Sequence, residues 1–205
     1  MAPAREIARV APGVYFWQAY APAVKADLSS SALVTPKGLF LVDPIPLTPE
    51  AIRDLTAGHK MAGVVVTNEN HERAAAHFAE QFDVPVFVDA AIEEADTWPG
   101  KRPLLTLVRD YGGFAIIPVP GAPVGETAVH YSENGGTLII GDALINFEPH
   151  GFTFLPPKYC TDFGLMGQSL EQLLRYRFER ILFAHGTPIV ANAHSRLEQL
   201  LADRC

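Results

Sequence analysis

Two stretches with a similar layout decide the fold, SALVTPKGLFLVDP at residues 31–44 and AVHYSENGGTLIIGDA at residues 128–143. Each contains a strand-like segment, a glycine-containing turn, a second and strongly apolar segment, and an aspartate where that segment ends. Each stretch therefore predicts a β-hairpin. The apolar run of the second strand does not alternate with polar residues, which predicts a strand that is buried on both faces.

Helical patterns accompany both hairpins. The apolar spacing over residues 75–82 predicts an amphipathic helix. Helix starts are predicted at Thr48, which precedes a proline, and at Ser169 and Ser195, which each begin a capping box. Two hairpins, each followed by helix and further strand, predict an α+β fold with two packed sheets and helices outside, a four-layer αββα sandwich.

Short segments rich in β-branched and aromatic residues, bounded by Pro or Gly, predict the strands. They are Val14–Gln18, Ser31–Thr35, Leu39–Val42, Val64–Thr67, Val86–Val88, Ala115–Val119, Thr127–Tyr131, Thr137–Ile140 and Ile181–Ala184.

Composition narrows the function classes. The chain has 205 residues, 48% of them hydrophobic and 19% charged, which predicts one folded domain over residues 1–205. A net charge of −7 argues against a nucleic-acid partner. The basic residues are scattered and no apolar stretch approaches the ~20 residues of a membrane span, so no membrane partner is expected. Two cysteines, Cys160 and Cys205, and the lack of a secretory pattern predict a cytoplasmic protein with reduced thiols.

One long segment, INFEPHGFTFLPPKYCTDFGLMG at residues 145–167, is aromatic and rich in Gly and Pro but has no clear period. Irregular segments of this length in a compact domain are usually functional loops or interfaces. The sequence leaves two interpretations open, a lid over a pocket or a subunit contact that forms a homodimer.

Five segments in order resemble the metallo-β-lactamase superfamily. They are LFLVDP (39–44), VVVTNENHERAAAHF (64–78), IIPVPGAPVGETAVHY (116–131), TLIIGDAL (137–144) and ILFAHGTP (181–188). The resemblance implies the αββα sandwich with a one- or two-metal site between the sheets. In that family the ligands come from Thr-His-x-His-x-Asp-His after an apolar strand, a His in Pro-Gly-His, an Asp in Gly-Asp and a His in Gly-His-Gly.

Most ligand positions of that pattern hold other residues here. Asn68 and Asn70 replace the first two histidines, Glu72 replaces the aspartate, Arg73 the next histidine, and Ala122 the histidine of Pro-Gly-His. Asparagine offers only a neutral amide oxygen, alanine offers no ligand atom, and arginine is a permanent cation. A dinuclear metal site is therefore not expected.

Asp142 and His185 do match the family pattern. If Asp142 and Glu72 share one pocket, their carboxylates need a cation or must stay protonated. Arg73 is predicted to supply that cation by bridging the two carboxylates in a charge-assisted pair.

These positions together predict a polar ligand pocket. Its residues are Asn68, Asn70, His71, Glu72, Arg73, Asp142 and His185. His71 is either a relocated ligand or general base, or an exposed residue that points away from the pocket. Asp43 resembles the first aspartate of the family's hairpin, which supports the site through hydrogen bonds there, whereas a structural role is expected for Asp43 here.

Two functions stay open at this point. In the first, the protein has lost the dinuclear metal site, is not a working metallohydrolase, uses no cofactor, and binds a small ligand in the polar cleft. In the second, one divalent ion of zinc, iron or manganese is held by Glu72, Asp142 and His185, and the protein hydrolyses esters or thioesters, with Glu72 and His185 as catalytic candidates. The sequence favours the first function, because Arg73 adds positive charge where the ion would bind.

Overall fold

The structure is a computed structural model that describes residues 1–92, 98, 100–111 and 113–204. Its strands are β1 (Ala8–Ala11), β2 (Val14–Ala21), β3 (Ala26–Thr35), β4 (Gly38–Val42), β5 (Met61–Val65), β6 (Val86–Val88), β7 (Arg102–Pro103), β8 (Phe114–Pro118), β9 (Thr127–Tyr131), β10 (Thr137–Ile140), β11 (Leu144–Phe147), β12 (Gly151–Phe154) and β13 (Arg180–Phe183). Its α-helices are α1 (Pro49–Thr56), α2 (Ala75–Phe82), α3 (Leu104–Tyr111), α4 (Phe163–Glu171) and α5 (Ala193–Ala202). Within these described ranges, no helix is both long and apolar enough to cross a membrane.

The strands form two main sheets and one separate hairpin. The first sheet has seven strands in sequence order, antiparallel from β1 to β4 and parallel from β4 to β7. The second sheet has the order β13-β10-β9-β8, with β10 parallel to β13 and antiparallel to β9. The hairpin of β11 and β12 stands apart as a two-stranded sheet.

Apolar clusters show how the layers stack. One cluster joins the first sheet to α1 and α2, another lies between the two sheets, and a third joins the second sheet to α4 and α5. Representative members, in that order, are Leu41, Ile52 and Phe78; Phe40, Val129 and Leu182; and Ile140, Leu170 and Leu197. The order of helices, sheet, sheet and helices is the αββα sandwich, which confirms the predicted fold class.

The second strand of each predicted hairpin is buried on both faces, as its unbroken apolar run indicates. In β4, Leu39 and Leu41 pack on the helix side of the first sheet, whereas Phe40 and Val42 pack between the sheets. In β10, Ile139 packs between the sheets while its neighbours pack toward the outer helices. Strands of this kind fix the two sheets relative to each other, and with them the loops at the strand ends.

The helix starts agree with the sequence only in part. Thr48 caps α1 as predicted. The two starts predicted from capping boxes are wrong, because Ser169 and Ser195 lie inside α4 and α5. Asp162 caps α4 instead, and its side chain accepts a hydrogen bond from the backbone N–H of Leu165 at 2.9 Å. The hydroxyl of Ser169 donates to the carbonyl of the preceding helical turn, which satisfies it within the helix.

The segment 145–167 is more regular than its sequence indicates. It contains most of β11, all of β12, a short 3-10 turn at Pro157–Tyr159 and the first residues of α4. The hairpin pairs Leu144 with Phe154 and Phe147 with Gly151. Phe147, Phe152 and Phe154 therefore belong to a hairpin rather than to an irregular loop, while Tyr159 lies in the 3-10 turn and Phe163 in α4.

Candidate metal-binding site

The candidate site lies where four strands end. Asp43 follows β4 and Thr67 lies just beyond β5, and these strands are parallel. Asp142 follows β10 and His185 follows β13, which are also parallel. Because parallel strands end at the same edge of a sheet, each sheet brings its own two residues together. The packing of the two sheets then places both pairs around one centre.

His71 is at that centre. It ends a 3-10 turn, Glu69–His71, which Asn68 caps by accepting a hydrogen bond from the backbone N–H of Asn70 at 2.9 Å. The turn directs the His71 ring inward, and the side chain is 1% exposed. Its Nδ1 lies 3.0 Å from Asp43 Oδ2, and its Nε2 lies 3.2 Å from Asp142 Oδ1. The residue that sequence left as either a ligand or an exposed histidine is thus buried between two carboxylates.

Asp43 is enclosed by hydrogen bonds. Its Oδ1 accepts from the backbone N–H of Thr67 at 2.8 Å, and its Oδ2 accepts from the Thr67 hydroxyl at 2.6 Å. Oδ2 also faces Nδ1 of His71. Asp43 adopts a φ of 48°, in the left-handed region that asparagine and aspartate tolerate better than most residues. Asp43 therefore contacts a residue of the site, in agreement with the role that the family resemblance implies, in addition to its hydrogen bonds to Thr67.

Asp142 presents its two oxygens to different partners. Oδ1 lies 3.1 Å from Nε2 of His185 and also faces His71. Oδ2 accepts hydrogen bonds from the side-chain amides of Asn68 at 3.2 Å and Asn70 at 3.3 Å. The two asparagines that replace family histidines therefore donate to the carboxylate that the family pattern retains.

Three side chains could hold a metal ion together. One ligand atom each from His71, Asp142 and His185 lies within 4.8 Å of the others. Nε2 of His71 is buried and makes no hydrogen bond in the described structure, although it lies within ion-pair distance of Oδ1 of Asp142. Two imidazoles and one carboxylate are a common ligand set for catalytic zinc, and metal-binding histidines usually donate their other N–H to a carboxylate, as Nδ1 can to Asp43. The residues therefore fit a single divalent ion.

Charge interactions within the group are strong. Burial and Arg73 act to lower the pKa of His71, but Asp142 and Asp43 outweigh them and raise it to about 9. Burial acts to raise the pKa of Asp142, yet His71 and His185 hold it well below its ordinary value. The pKa of Asp43 is likewise lowered, because His71 and Arg73 outweigh the effect of burial. Both aspartates are therefore ionised at neutral pH, as metal ligands and their supports must be.

Arg73 does not make the predicted bridge between Asp142 and Glu72. Its guanidinium donates to the backbone carbonyls of Ser29 at 2.6 Å, Asp43 at 3.1 Å and Ala184 at 3.4 Å. These carbonyls belong to both halves of the sandwich. A φ of 45° at Arg73 turns the chain between the 3-10 turn and α2. The side chain therefore links the two sheets through their backbones, and its head group lies outside the ligand group.

Glu72 is not brought into the group. Its side chain is exposed, and it is not among the residues whose ligand atoms converge in the described structure. The 3-10 turn brings His71 inward and leaves the next residue facing solvent. The ligand set drawn from the sequence therefore has to exchange Glu72 for His71. Ala122, at the Pro-Gly-His position, is 1% exposed and adds only an apolar wall.

Glu126 is part of the site although the sequence does not single it out. Its carboxylate is buried and accepts a hydrogen bond from Nδ2 of Asn68 at 2.6 Å. It also accepts from the backbone N–H groups of Asp142 at 3.2 Å and Ala143 at 3.1 Å. Burial, with the charge of Asp142 nearby, raises the pKa of Glu126 to about 8. An acidic residue directly before a strand that is buried along its whole length, Thr127–Tyr131, is a signal that could have indicated it.

A cleft of about 770 Å³ opens beside the ligand group. Asn70, Asp142 and His185 form one part of its wall. Segment 145–167 forms another part through side chains that are mostly apolar or aromatic, among them Phe147, Leu155 and Tyr159. Cys160 also lines it as a free, half-buried thiol, whereas Cys205 lies outside the described residues.

Comparisons with known proteins agree with this architecture. The chain matches the metallo-beta-lactamase superfamily over residues 7–204. Its structure is similar to the DIM-1 metallo-beta-lactamase, with 13% identity and a TM-score of 0.74 over 100% of this chain and 99% of that one. It is also similar to a metallo beta lactamase from Erythrobacter litoralis, with 13% identity, a TM-score of 0.76 and 96% of each chain covered.

A beta-lactamase domain protein from Burkholderia ambifaria is similar as well, with 21% identity, a TM-score of 0.68, and coverage of 98% of this chain and 77% of that one. No match was found among curated proteins. At these identities the likeness to solved structures shows the fold, and the chemistry has to be argued from the site itself.

Proposed function

We propose that this chain, which belongs to the metallo-β-lactamase superfamily, has lost the dinuclear site of that family but binds one divalent ion. We further propose that it is a mononuclear hydrolase of small esters or thioesters. One observation carries the proposal, which is the convergence of His71, Asp142 and His185 within 4.8 Å of one another. The buried Nε2 of His71 supports it, because this atom makes no hydrogen bond although it lies 3.2 Å from Oδ1 of Asp142, and a buried polar atom without a hydrogen bond is costly.

The position of Arg73 removes the main argument against an ion. The sequence places a permanent cation next to the ligands, which would repel a metal. In the structure, the guanidinium donates hydrogen bonds to the backbone carbonyls of Ser29, Asp43 and Ala184. Its charge still acts on His71, but its head group does not fill the ligand centre. One cation at the centre is therefore compatible with Arg73.

A second metal position is not supported by the side chains around it. Asn68 and Asn70 point their amide nitrogens at Asp142, and an amide nitrogen is not a metal ligand because its electron pair is delocalised. The amide oxygen of Asn68, which could be a weak ligand, accepts from the backbone N–H of Asn70. Ala122 offers no ligand atom. We therefore propose one ion per chain, with zinc favoured by two imidazoles and iron or manganese as alternatives.

An ion bound there would supply Lewis-acid chemistry for the hydrolysis of an ester or thioester. The protein's own contribution is to prepare its ligands. Asp43 is ionised and can only accept a hydrogen bond, so it favours a proton on Nδ1 of His71. In metal-free protein at neutral pH, His71 carries a second proton on Nε2, and this proton has to leave before that atom can bind an ion in its place. Asn68 and Asn70 occupy one oxygen of Asp142 and leave the other for the centre. The apolar and aromatic wall of the cleft suits a substrate with an apolar body.

Metal content tests the proposal directly. Protein made without a histidine tag, in medium supplemented with zinc, iron and manganese, should carry about one ion per chain by mass spectrometry. His71→Ala and His185→Ala should each lose the ion, while His77→Ala, an exposed histidine outside the site, should retain it. The loaded protein should then hydrolyse chromogenic esters or thioesters. A parent chain with well under one ion, unchanged after dialysis against zinc, would refute the proposal.

A metal-free binding function is the second candidate, and the electrostatics of His71 favour it. With its pKa raised to about 9, His71 can stay protonated at neutral pH and neutralise Asp43 and Asp142 without a metal. The cleft would then bind a small polar ligand. Thermal stabilisation by small carboxylates and esters, measured with a chelator present, should appear if this function is correct. Stabilisation only after addition of metal would favour the hydrolase.

A further inference from the structure

We infer that Glu126 is a positioning residue, which acts through Asn68 to turn the Asp142 carboxylate so that one oxygen faces both histidines. The inference rests on the proposed single-metal site, since it concerns how that site is shaped. It adds a residue that contributes no ligand atom and that lies 16 positions before Asp142 in the chain.

Glu126 joins two loops that come from different sheets. Oε2 accepts from Nδ2 of Asn68 at 2.6 Å and from the backbone N–H of Asp142 at 3.2 Å. Oε1 accepts from the backbone N–H of Ala143 at 3.1 Å. The carboxyl group therefore fixes both the loop after β5 and the loop after β10. With 4% of its surface exposed, Glu126 has few other partners available for these oxygens.

Asn68 passes this restraint on to Asp142. Its Nδ2 carries two hydrogens, which suit one hydrogen bond to Glu126 and one to Oδ2 of Asp142 at 3.2 Å. Its Oδ1 accepts from the backbone N–H of Asn70 at 2.9 Å. All three contacts agree on one orientation of the amide, because a flipped amide would place a donor against a donor. Glu126 therefore determines which way Asn68 points.

The result is an asymmetric carboxylate. Oδ2 of Asp142 is taken by the amides of Asn68 and Asn70. Oδ1 lies 3.2 Å from Nε2 of His71 and 3.1 Å from Nε2 of His185. A carboxylate held in this way offers one oxygen to an ion, which together with two imidazoles gives three ligands and leaves a position open toward the cleft.

Gly141 shows how closely Glu126 is packed against this loop. A Cβ atom at position 141 would lie 2.8 Å from Oε2 of Glu126 and 2.6 Å from Oγ1 of Thr67. Both oxygens are held by buried hydrogen bonds and cannot easily move. Glycine at 141 is therefore what allows the carboxyl group to reach the backbone beside Asp142.

The experiment compares four variants with the parent chain. Glu126→Ala removes the anchor, and Asn68→Leu keeps most of the volume but cannot donate. Glu126→Gln keeps an oxygen that can accept from Asn68. Glu179→Ala is the matched control, because an exposed Glu179 oxygen also accepts a backbone N–H, that of Asn192 at 2.9 Å, far from the site. Zinc affinity is measured by chelator competition, and the absorption spectrum of the cobalt-substituted protein reports coordination geometry.

We expect Glu126→Ala and Asn68→Leu to weaken zinc binding by roughly 10- to 100-fold, as is typical for residues that orient metal ligands. Their cobalt spectra should shift toward the weaker bands of higher coordination, because a released carboxylate can offer both oxygens. Glu126→Gln and Glu179→Ala should keep the affinity and spectrum of the parent chain. If Glu126→Ala does not fold, Asn68→Leu and Glu126→Gln still form a complete test.

Two results would overturn the inference. In the first, Asn68→Leu and any folded Glu126→Ala protein bind zinc as the parent does and give the same cobalt spectrum. The second result is sought in metal-free protein if the parent chain binds no metal, a finding that would refute the proposed function but not the positioning role. The ring ¹⁵N signals of His71 and His185 are then compared in metal-free protein. They should shift in Glu126→Ala and Asn68→Leu but not in Glu126→Gln or Glu179→Ala, and unchanged signals in all variants reject the positioning role.

Discussion

Asp43 and Asp142 end equivalent strands of two similar hairpins, yet they have different surroundings. Asp43 is 2% exposed and faces the backbone and hydroxyl of Thr67 on one side and Nδ1 of His71 on the other. Asp142 is 7% exposed, borders the cleft, and faces two imidazoles with one oxygen. One aspartate is enclosed by hydrogen bonds and the other is open to a ligand.

The difference shows that the end of a strand determines where a carboxylate lies, whereas the loop that faces it determines which hydrogen-bond partners it has. Thr67 and His71 belong to the loop after β5 and use both oxygens of Asp43. On the other side, Asn68 and Asn70 of the same loop use only one oxygen of Asp142. We propose that the two aspartates therefore have different roles, in which Asp43 stabilises the fold and Asp142 takes part in binding.

Removing Asp43 should have the largest effect on stability. Asp43→Ala leaves the Thr67 donors and a buried His71 without their partner, and losing one member of a buried charged pair costs about 3–5 kcal/mol. The free energy of unfolding, from urea titration of metal-free protein, should fall by that amount. A loss no greater than that of Asp142→Ala would break the distinction between the two aspartates.

Removing the charge of Asp142 should affect binding most. Asp142→Asn takes away a proposed ligand, so zinc affinity should fall by more than about 100-fold, beyond the loss typical of residues that only orient ligands. Competition with a chelator measures the change. Asp203→Asn, which removes an exposed charge at the end of α5, serves as the control for net charge and should leave affinity unchanged.

Arg73 sharpens the comparison because its hydrogen bond to Asp43 goes to the backbone carbonyl and not to the carboxylate. Arg73→Ala removes donors to Ser29, Asp43 and Ala184, and hydrogen bonds to a charged group contribute about 1.5–3 kcal/mol. Because three such bonds are removed, the free energy of unfolding should fall by at least the contribution of one, about 1.5–3 kcal/mol, while zinc affinity changes little. A large loss of zinc affinity with intact stability would instead place Arg73 in the ligand centre.

The pH dependence of stability gives the most gradual test. Because the folded pKa of His71 is raised to about 9, its contribution is complete below the ordinary value of 6.5 and is lost as pH rises toward 9. Glu126, with its pKa raised to about 8 from 4.5, keeps its proton longer in the folded state and also lowers stability as pH rises. The lowered pKa values of Asp43 and Asp142 act oppositely, below their ordinary value of 3.8.

Metal-free protein should therefore be most stable in mildly acidic solution. As pH rises, His71 and Glu126 should each lower the free energy of unfolding by roughly 1.4 kcal/mol for each pH unit between the ordinary and the raised pKa of the group. Urea titrations at a series of pH values measure the slope. Stability that rises between neutral pH and pH 9 would contradict the burial of a protonated His71 between the two aspartates.

The sequence predicts the fold well because short stretches of the chain indicate which strands are buried on both faces and where they end. The apolar runs of β4 and β10 indicate strands covered on both sides, and the aspartates that end them indicate where the loops converge. Helix starts are less secure, since Ser169 and Ser195 match a capping pattern but lie inside their helices, where the Ser169 hydroxyl donates to a carbonyl of the preceding turn. A capping box in the sequence therefore does not fix a helix start, because the folded structure can offer another residue as the cap.

The site is predicted only in part, because its decisive residues depend on geometry that sequence does not carry. His71 points inward because of a 3-10 turn, whereas a regular helical start would direct it elsewhere. A left-handed φ at Arg73 then turns its guanidinium to the backbone. Glu126 meets Asn68 across 58 residues, a contact that only the packing of two sheets creates.

The Asn68–Glu126 pair makes these two positions mutually dependent, which has a consequence for engineering. An imidazole at position 68 is larger than the amide, and Oε2 of Glu126 already lies 2.6 Å from the amide nitrogen. Histidine at 68 would place a larger ring against this oxygen and could not keep the hydrogen bonds of Asn68 to both Glu126 and Asp142. A second metal centre would therefore require changes at both positions together, although Glu126 itself contributes no ligand atom.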